Sequence, residues 1–260
     1  AGGMIAVWEE INLAGNIYDL YAQRIDANGE VLWGPDGVPV CTAPEKQHQL
    51  QIVSDGANGV IIVWNDQRSI TTGSGTGDDI YAQRLNSDGS AQWTNDGIVV
   101  CSATGNQTGP YLCSDGNGGT YIAWTNSPTK EIYAQRLDGN GQAQWQANGI
   151  AVTDNIANKA LYAIAADGTG KAIIAFVNDI FPYALKFDGT GNFNWQTQLY
   201  DSNISAGGIR TIISDGSGGV IVPFSFSTSL FVQRVNSSGA RQWGTLSQPL
   251  LICQTDGGGS

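Results

Sequence analysis

Apolar and polar positions alternate along this chain in short runs, and the runs recur in a fixed order. One apolar stretch ends in Ser54-Asp55-Gly56. A second is Val60-Ile61-Ile62-Val63-Trp64, followed by a long polar loop. A third is Ile80-Tyr81-Ala82-Gln83-Arg84-Leu85, then a turn at Asp88-Gly89, and a fourth opens at Gln92-Trp93. Runs of this length bounded by Gly, Asp and Asn predict strands rather than helices. The second run is apolar at every position, as are its counterparts Tyr121–Trp124, Ala172–Phe176 and Val220–Phe224, so it predicts a strand buried on both faces. Asn28-Gly29, Asp88-Gly89, Asn140-Gly141 and Ser238-Gly239 predict hairpin turns, because Gly tolerates the positive φ they need.

The third run gives the register of the repeat: Leu20–Arg24, Ile80–Arg84, Ile132–Arg136, Pro182–Lys186 and Leu230–Arg234. Second-run aromatics (Trp8, Trp64, Trp124, Phe176, Phe224), fourth-run tryptophans (Trp33, Trp93, Trp145, Trp195, Trp243) and turn aspartates (Asp55, Asp115, Asp167, Asp215, Asp256) follow the same period. Four short strands in a unit of about 50 residues predict a propeller blade. The expected fold is all-β: one five-bladed β-propeller over 1–260, with four antiparallel strands per blade. The expected blades are 1–42 plus 248–257, 47–103, 108–154, 159–201 and 207–247. The first copy begins inside a unit, at Gly3–Glu10. Its inner strand is expected from the C-terminal stretch 248–257, which would close the ring and leave no open sheet edge there. A solenoid is the competing architecture.

The hairpin Asn86–Trp93 resembles the Asp-box of sialidase-type (BNR-like) propellers in its Asp-to-Trp spacing, with the glycine one position early. The unit is similar to repeats of secreted bacterial multi-domain proteins. The resemblance implies an extracellular or cell-surface location within a larger bacterial protein, flanked by other domains. It implies no particular activity, since such turns are structural in many families.

Charge changes the picture in one respect. The net charge is −11, and nucleic acid is not an expected partner, because phosphate binding needs a basic surface. No apolar run is long enough for a helix to span a membrane, so no membrane insertion is expected. The opening Ala1-Gly2-Gly3 reads as a processed protein or a domain cut from a longer one. A monomer is expected. All eight tryptophans fall on the two repeating positions, which makes them packing residues rather than sugar platforms. The Asp/Asn-Gly turns offer two or three side-chain oxygens each, too few for calcium, and no metal or cofactor is expected. Arg24, Arg84, Arg136 and Arg234 are expected to lie over aromatics or to pair with turn aspartates. Cys41 and Cys101 follow outer strands, and Cys113 and Cys253 are placed on the inner strands of blades three and one, so four free thiols are expected.

None of the expected innermost strands (Gln49–Val53, Pro110–Cys113, Leu161–Ala165, Ile209–Ile213, Pro249–Cys253) carries Asp or Glu, and His48 is the sole histidine. No catalytic constellation is legible, and the protein is not expected to be an enzyme. What does not repeat is the loop from Asp66 to Asp79. Asp66, Arg68, Asp78 and Asp79, with Glu9, Glu10, His48, Gln107 and Asn126, form the candidate ligand-binding rim, and Asn12, Gln47 and Asn106 lie near it in the repeat frame. The expected function is a binding or adhesion module for a glycan or a surface protein. One alternative is a glycoside-active enzyme using Asp66, Asp78 and Asp79. Another is a ligand-free spacer.

Overall fold

The computed structural model describes residues 2–12, 17–72, 77–127, 129–153, 159–201, 208–226 and 229–254. Asp256, the loop residues 73–76 and the last part of the expected closing strand lie outside them. The fold is all-β, with antiparallel pairing throughout the named ladders. The first sheet holds β1 (Met4–Asn12), β2 (Ile17–Ile25) and β3 (Val38–Cys41). The second holds β4 (Gln47–Ser54), β5 (Val60–Asp66), β6 (Asp79–Leu85) and β7 (Ile98–Cys101), with a five-residue helix α1 (Arg68–Thr72) between β5 and β6. The third holds β8 (Asn106–Ser114), β9 (Thr120–Ser127), β10 (Glu131–Leu137) and β11 (Ile150–Ala151). The fourth holds β12 (Lys159–Ala166), β13 (Ala172–Asn178), β14 (Phe181–Phe187) and β15 (Phe193–Gln198). The fifth holds β16 (Gly208–Ile209), β17 (Ile213–Ser214), β18 (Val220–Phe226), β19 (Ser229–Val235) and β20 (Leu250–Gln254). The chain packs as two compact units, residues 1–128 with 134–150, and 129–133 with 151–260.

The core follows the sequence pattern. Every residue of β5 is buried, and Trp64, Trp124, Phe176 and Phe224 are among the largest fully buried side chains. Each stacks on or lies beside the third-run aromatic of its own sheet where a ring contact is seen, as in Trp64–Tyr81 and Phe224–Phe231. Gly97 sits at φ +86° against the Trp64 ring, where an added Cβ would collide with it.

Two strand expectations need correction. The stretch 248–257 does not supply the inner strand of the first sheet. Leu250–Gln254 pairs with β19 as the outer strand of the fifth. Leu230 faces Cys253 just as Leu20 faces Cys41 and Ile80 faces Cys101, each followed by the same register shift. Val38–Cys41, Ile98–Cys101 and Leu250–Cys253 are therefore three copies of one element, and Cys253 belongs to an outer strand rather than an inner one. Among the described residues the first sheet consequently has three strands, not four. Secondly, the fourth strand does not open at the tryptophan in the first three sheets. β3, β7 and β11 each begin five residues after Trp33, Trp93 and Trp145.

A side-chain amide fills that gap. Oε1 of Gln83 accepts the N–H of Trp93 at 3.1 Å and of Arg84 at 2.9 Å, while its Nε2 donates to the Thr94 carbonyl at 2.8 Å. Gln23 and Gln135 make the same three bonds. The amide thus stands in for one peptide of the ladder where the outgoing chain has bulged away. In the fourth sheet the position is Leu185, and there β15 pairs directly with β14, Leu185 opposite Gln196 and Lys186 opposite Trp195.

The basic residue one step on closes the turn between inner and second strands. Arg84 pairs with Asp55, Arg136 with Asp115 and Arg234 with Asp215, each at 2.9 Å, and Lys186 takes the same role toward Asp167 at 2.5 Å.

Candidate functional site

The candidate site lies at the end of the second sheet where β5 passes through α1 to β6, and all of it belongs to the first compact unit. Asp66 and Asp79 face each other as the terminal pair of the β5–β6 ladder. They are not loop residues, as their polarity in the sequence suggests. Asp66 is fully buried and Asp79 is 2% exposed.

Asp66 is committed to the framework. Its Oδ2 accepts from Arg68 Nη2 at 2.6 Å and from the Trp64 indole at 2.8 Å, and its Oδ1 accepts from Arg68 Nε at 2.8 Å and from the Arg68 amide. Arg68 is anchored further by the Asp96 carbonyl at 2.8 Å and by Cys41 Sγ at 3.0 Å, and its guanidinium lies 4.0 Å from the centre of the Tyr81 ring. A planar fork matched to a carboxylate on one edge and an aromatic face below is a rigid arrangement. Burial pushes the Cys41 thiol up to about 12, so it stays neutral beside this pair.

Asp79 has a different fate. Burial raises its carboxyl above the usual range, and the nearby charges of Asp66 and Asp78 raise it further, against the lowering effect of the Ser69 hydroxyl. Its Oδ2 is buried without a hydrogen-bond partner.

Asp78 precedes Asp79 and lies just outside β6. It is partly exposed and meets His48 Nε2 at 3.2 Å and Gln67 Nε2 at 2.8 Å. Burial opposes its ionised form, but the His48 and Gln67 hydrogen bonds outweigh this and hold its carboxyl below the ordinary range. The same contact holds the His48 ring above its ordinary value, with burial working against it. Asp78 is also fixed through its backbone, its amide donating to Asn106 Oδ1 at 3.0 Å and its carbonyl accepting from Gln107 at 2.8 Å. Those bonds tie the loop to the start of β8.

Of the other expected rim residues, Glu9 Oε1 accepts the Gln49 amide at 3.0 Å, which brings it to the edge of β4 beside His48. Gln107 is buried and, like Gln47, spends its amide nitrogen on the carbonyls of the preceding turn, Ala103 and Gly105 in one case and Ala43, Pro44 and Glu45 in the other. The two oxygens, Gln47 Oε1 and Gln107 Oε1, are buried without donors. Asn126 pairs with Gln107 in the β8–β9 register. Glu10 faces Asp19 across the β1–β2 ladder, away from Glu9. The side chain of Asn12 lies outside the described residues. The structure therefore brings together His48, Gln67, Asp78 and, nearby, Glu9. It seals Asp66, Asp79 and Gln107 inside and sets Glu10 elsewhere. Gln67 was missed in the sequence, where a glutamine between Asp66 and Arg68 carries no signal of its own.

Chemically, this end of the sheet is a hydrogen-bonding surface on a locked base. Its carboxylates are unequal: one ion-paired, one buried, one held by an imidazole. Among the described residues no three His, Cys, Asp or Glu side chains gather in a way that could hold a metal ion.

No protein-family model matches the sequence, and no curated protein matches it. Solved structures do. A puromycin hydrolase is similar over 98% of this chain, at 14% identity and a TM-score of 0.57, and a prolyl endopeptidase over 98%, at 12% identity and 0.55. This chain spans little more than a third of each, 38% and 34% of their lengths. A protein from Lactobacillus plantarum is similar over 95% of this chain and 70% of its own, at 13% identity and 0.50. At such identities the likeness concerns the fold alone, which is that of β-propeller proteins.

Proposed function

We propose that this chain is a secreted or cell-surface binding module of a larger bacterial protein, taking a glycan or protein ligand on the face formed by His48, Gln67, Asp78 and Glu9. One observation carries the reading: a partly exposed cluster of donors and acceptors, His48 and Gln67 on Asp78, is fixed through the Asp78 backbone, which bonds Asn106 Oδ1 and the Gln107 amide. Preorganised polar groups bind hydroxyl-rich or peptide ligands at little ordering cost. The five-bladed ring and the flanking domains belong to the same proposal. The acidic, lysine-poor composition supports an extracellular setting.

A glycan array with the intact chain tests the reading, followed by thermal shift with the glycans that bind. Binding abolished by His48→Ala and by Gln67→Ala, with both variants folded, is the expected result. A blank array with no thermal shift by any polysaccharide or candidate surface protein removes the proposal in favour of a spacer.

A further inference from the structure

The inner strand of the second sheet is bulged, and the bulge carries a strained residue. β4 pairs His48 with Asn65 and Gln51 with Val63, so Gln49 and Leu50 stand opposite Trp64 alone. The third sheet repeats the bulge: Thr108 pairs with Thr125 and Tyr111 with Ala123, and Gly109 and Pro110 stand opposite Trp124. Gly109 is at φ +61° and Gln49 at φ +54°, both in the left-handed region. Glycine is the residue such a bulge calls for, because a side chain there strains the backbone. A Cβ on Gly109 would meet nothing within 4 Å, so this position offers a side chain no packing in return. Gln49 is likewise exposed. The second sheet therefore carries, at a glycine position, a side chain that fills no core.

What Gln49 does instead is polar. Its backbone amide donates to Glu9 Oε1 at 3.0 Å, and its side-chain Oε1 accepts the Gly109 amide at 3.3 Å. One residue thus joins β1, β4 and β8. Each of the two side chains is anchored through one of its two polar atoms. The other two, Gln49 Nε2 and Glu9 Oε2, make no hydrogen bond among the described residues, so an amide donor and a carboxylate acceptor are presented close together on fixed stems. His48, the residue before Gln49, links this pair to Asp78 and Gln67.

We propose that Gln49 and Glu9 are ligand-contacting residues and that the ligand is a glycan, held by two hydroxyls on adjacent ring carbons. The inference rests on the ligand face proposed above and narrows its ligand to a sugar. Gln49 Nε2 donates to one hydroxyl oxygen, and the neighbouring hydroxyl donates to Glu9 Oε2. A hydroxyl both donates and accepts, so a vicinal pair satisfies one donor and one acceptor together, and neither an apolar seat nor an opposite charge is required. Strain carried by an exposed residue with no packing role points to contact rather than to stability.

The test is a 1H–15N NMR titration of the intact 260-residue chain with the methyl glycosides of glucose, galactose and mannose, each of which carries vicinal hydroxyls, beside thermal melts of each variant. Saturable shifts of the Gln49 side-chain amide and of the Gly109 amide are expected with at least one glycoside. Gln49→Gly is expected to weaken that glycoside about tenfold or more, while Tm holds or rises by about 2–4 °C as the strain is relieved. Gln49→Glu keeps an acceptor for Gly109 and removes only the donor, and a similar weakening is expected. A Tm lowered by more than about 2 °C in Gln49→Gly would make Gln49 a structural residue and overturn the proposal. Unaltered binding in either variant, or no saturable shift with any of the three glycosides, would overturn it too. These failures are separate from failure of the wider face, which His48→Ala reads: glycoside binding lost in Gln49→Gly but unchanged in His48→Ala would support the Gln49 site and refute that face.

Discussion

Replacing Gln83 by Leu removes one side-chain amide and keeps the volume nearly constant, so cavity effects are small. The loss is of hydrogen bonds. Gln83 is fully buried and makes three, with the amides of Arg84 and Trp93 and the carbonyl of Thr94. At about 1 kcal/mol net for each bond, the substitution costs about 3 kcal/mol. For a chain of this size that lowers Tm by about 6–12 °C. Gln233 supplies an internal scale. It accepts from Trp243 at 2.9 Å, but its Nε2 has no partner, so Gln233→Leu is expected to cost about a third as much. Differential scanning calorimetry of both variants beside the parent reads the two shifts. A change below about 2 °C for Gln83→Leu, or a larger effect at Gln233 than at Gln83, would refute the claim that the amide replaces a peptide of the ladder.

Three further expectations follow from the carboxylates and thiols. Asp79 is raised in the folded chain, so its ionisation costs stability as pH rises above the ordinary carboxylate value; Asp79→Asn should raise Tm at pH 7, with the gain shrinking toward pH 4, in melts across that range. Asp55 is the opposite case. Burial raises its carboxyl, but the Ala57 and Gly59 amides and Arg84 outweigh this and lower it, so its contribution is present above the unfolded value and lost as pH falls through the folded one. Asp55→Asn should therefore cost about 3 kcal/mol at pH 7 and flatten the acid limb of a urea-stability profile, and an unchanged acid limb would count against the pairing. Cys253 is exposed while Cys41, Cys101 and Cys113 are buried, so alkylation of the native chain should add one label and alkylation in denaturant four, counted by intact mass.

The strands were readable because burial on both faces leaves a mark in the sequence. Val60–Trp64 is apolar at every position, and only a strand held between layers needs that. The outer strands were less readable. Trp93 is the strongest fourth-run residue in the sequence, but Gln83 holds the chain off the ladder there and β7 starts five residues later, and nothing in a lone glutamine announces that role. The C-terminal Leu-Leu-Ile-Cys matches Val-Pro-Val-Cys and Ile-Val-Val-Cys, and that local likeness marks an outer strand, whereas the incomplete first unit points to an inner one. At the candidate site, proximity to the long loop made Asp66 and Asp79 look like surface acids. Their register as a ladder pair, and the Arg68 that neutralises Asp66, are tertiary facts. His48 and Asp78, 30 residues apart, meet only because β4 and β6 flank β5.

The central structural claim is that Leu250–Gln254 completes the fifth sheet rather than the first. Cross-strand nuclear Overhauser effects measure this most directly. Contacts between Phe231 and Leu251 and between Leu230 and Cys253 are expected from the observed register. Contacts from Leu250–Gln254 to Met4–Asn12, in place of those to β19, would contradict it.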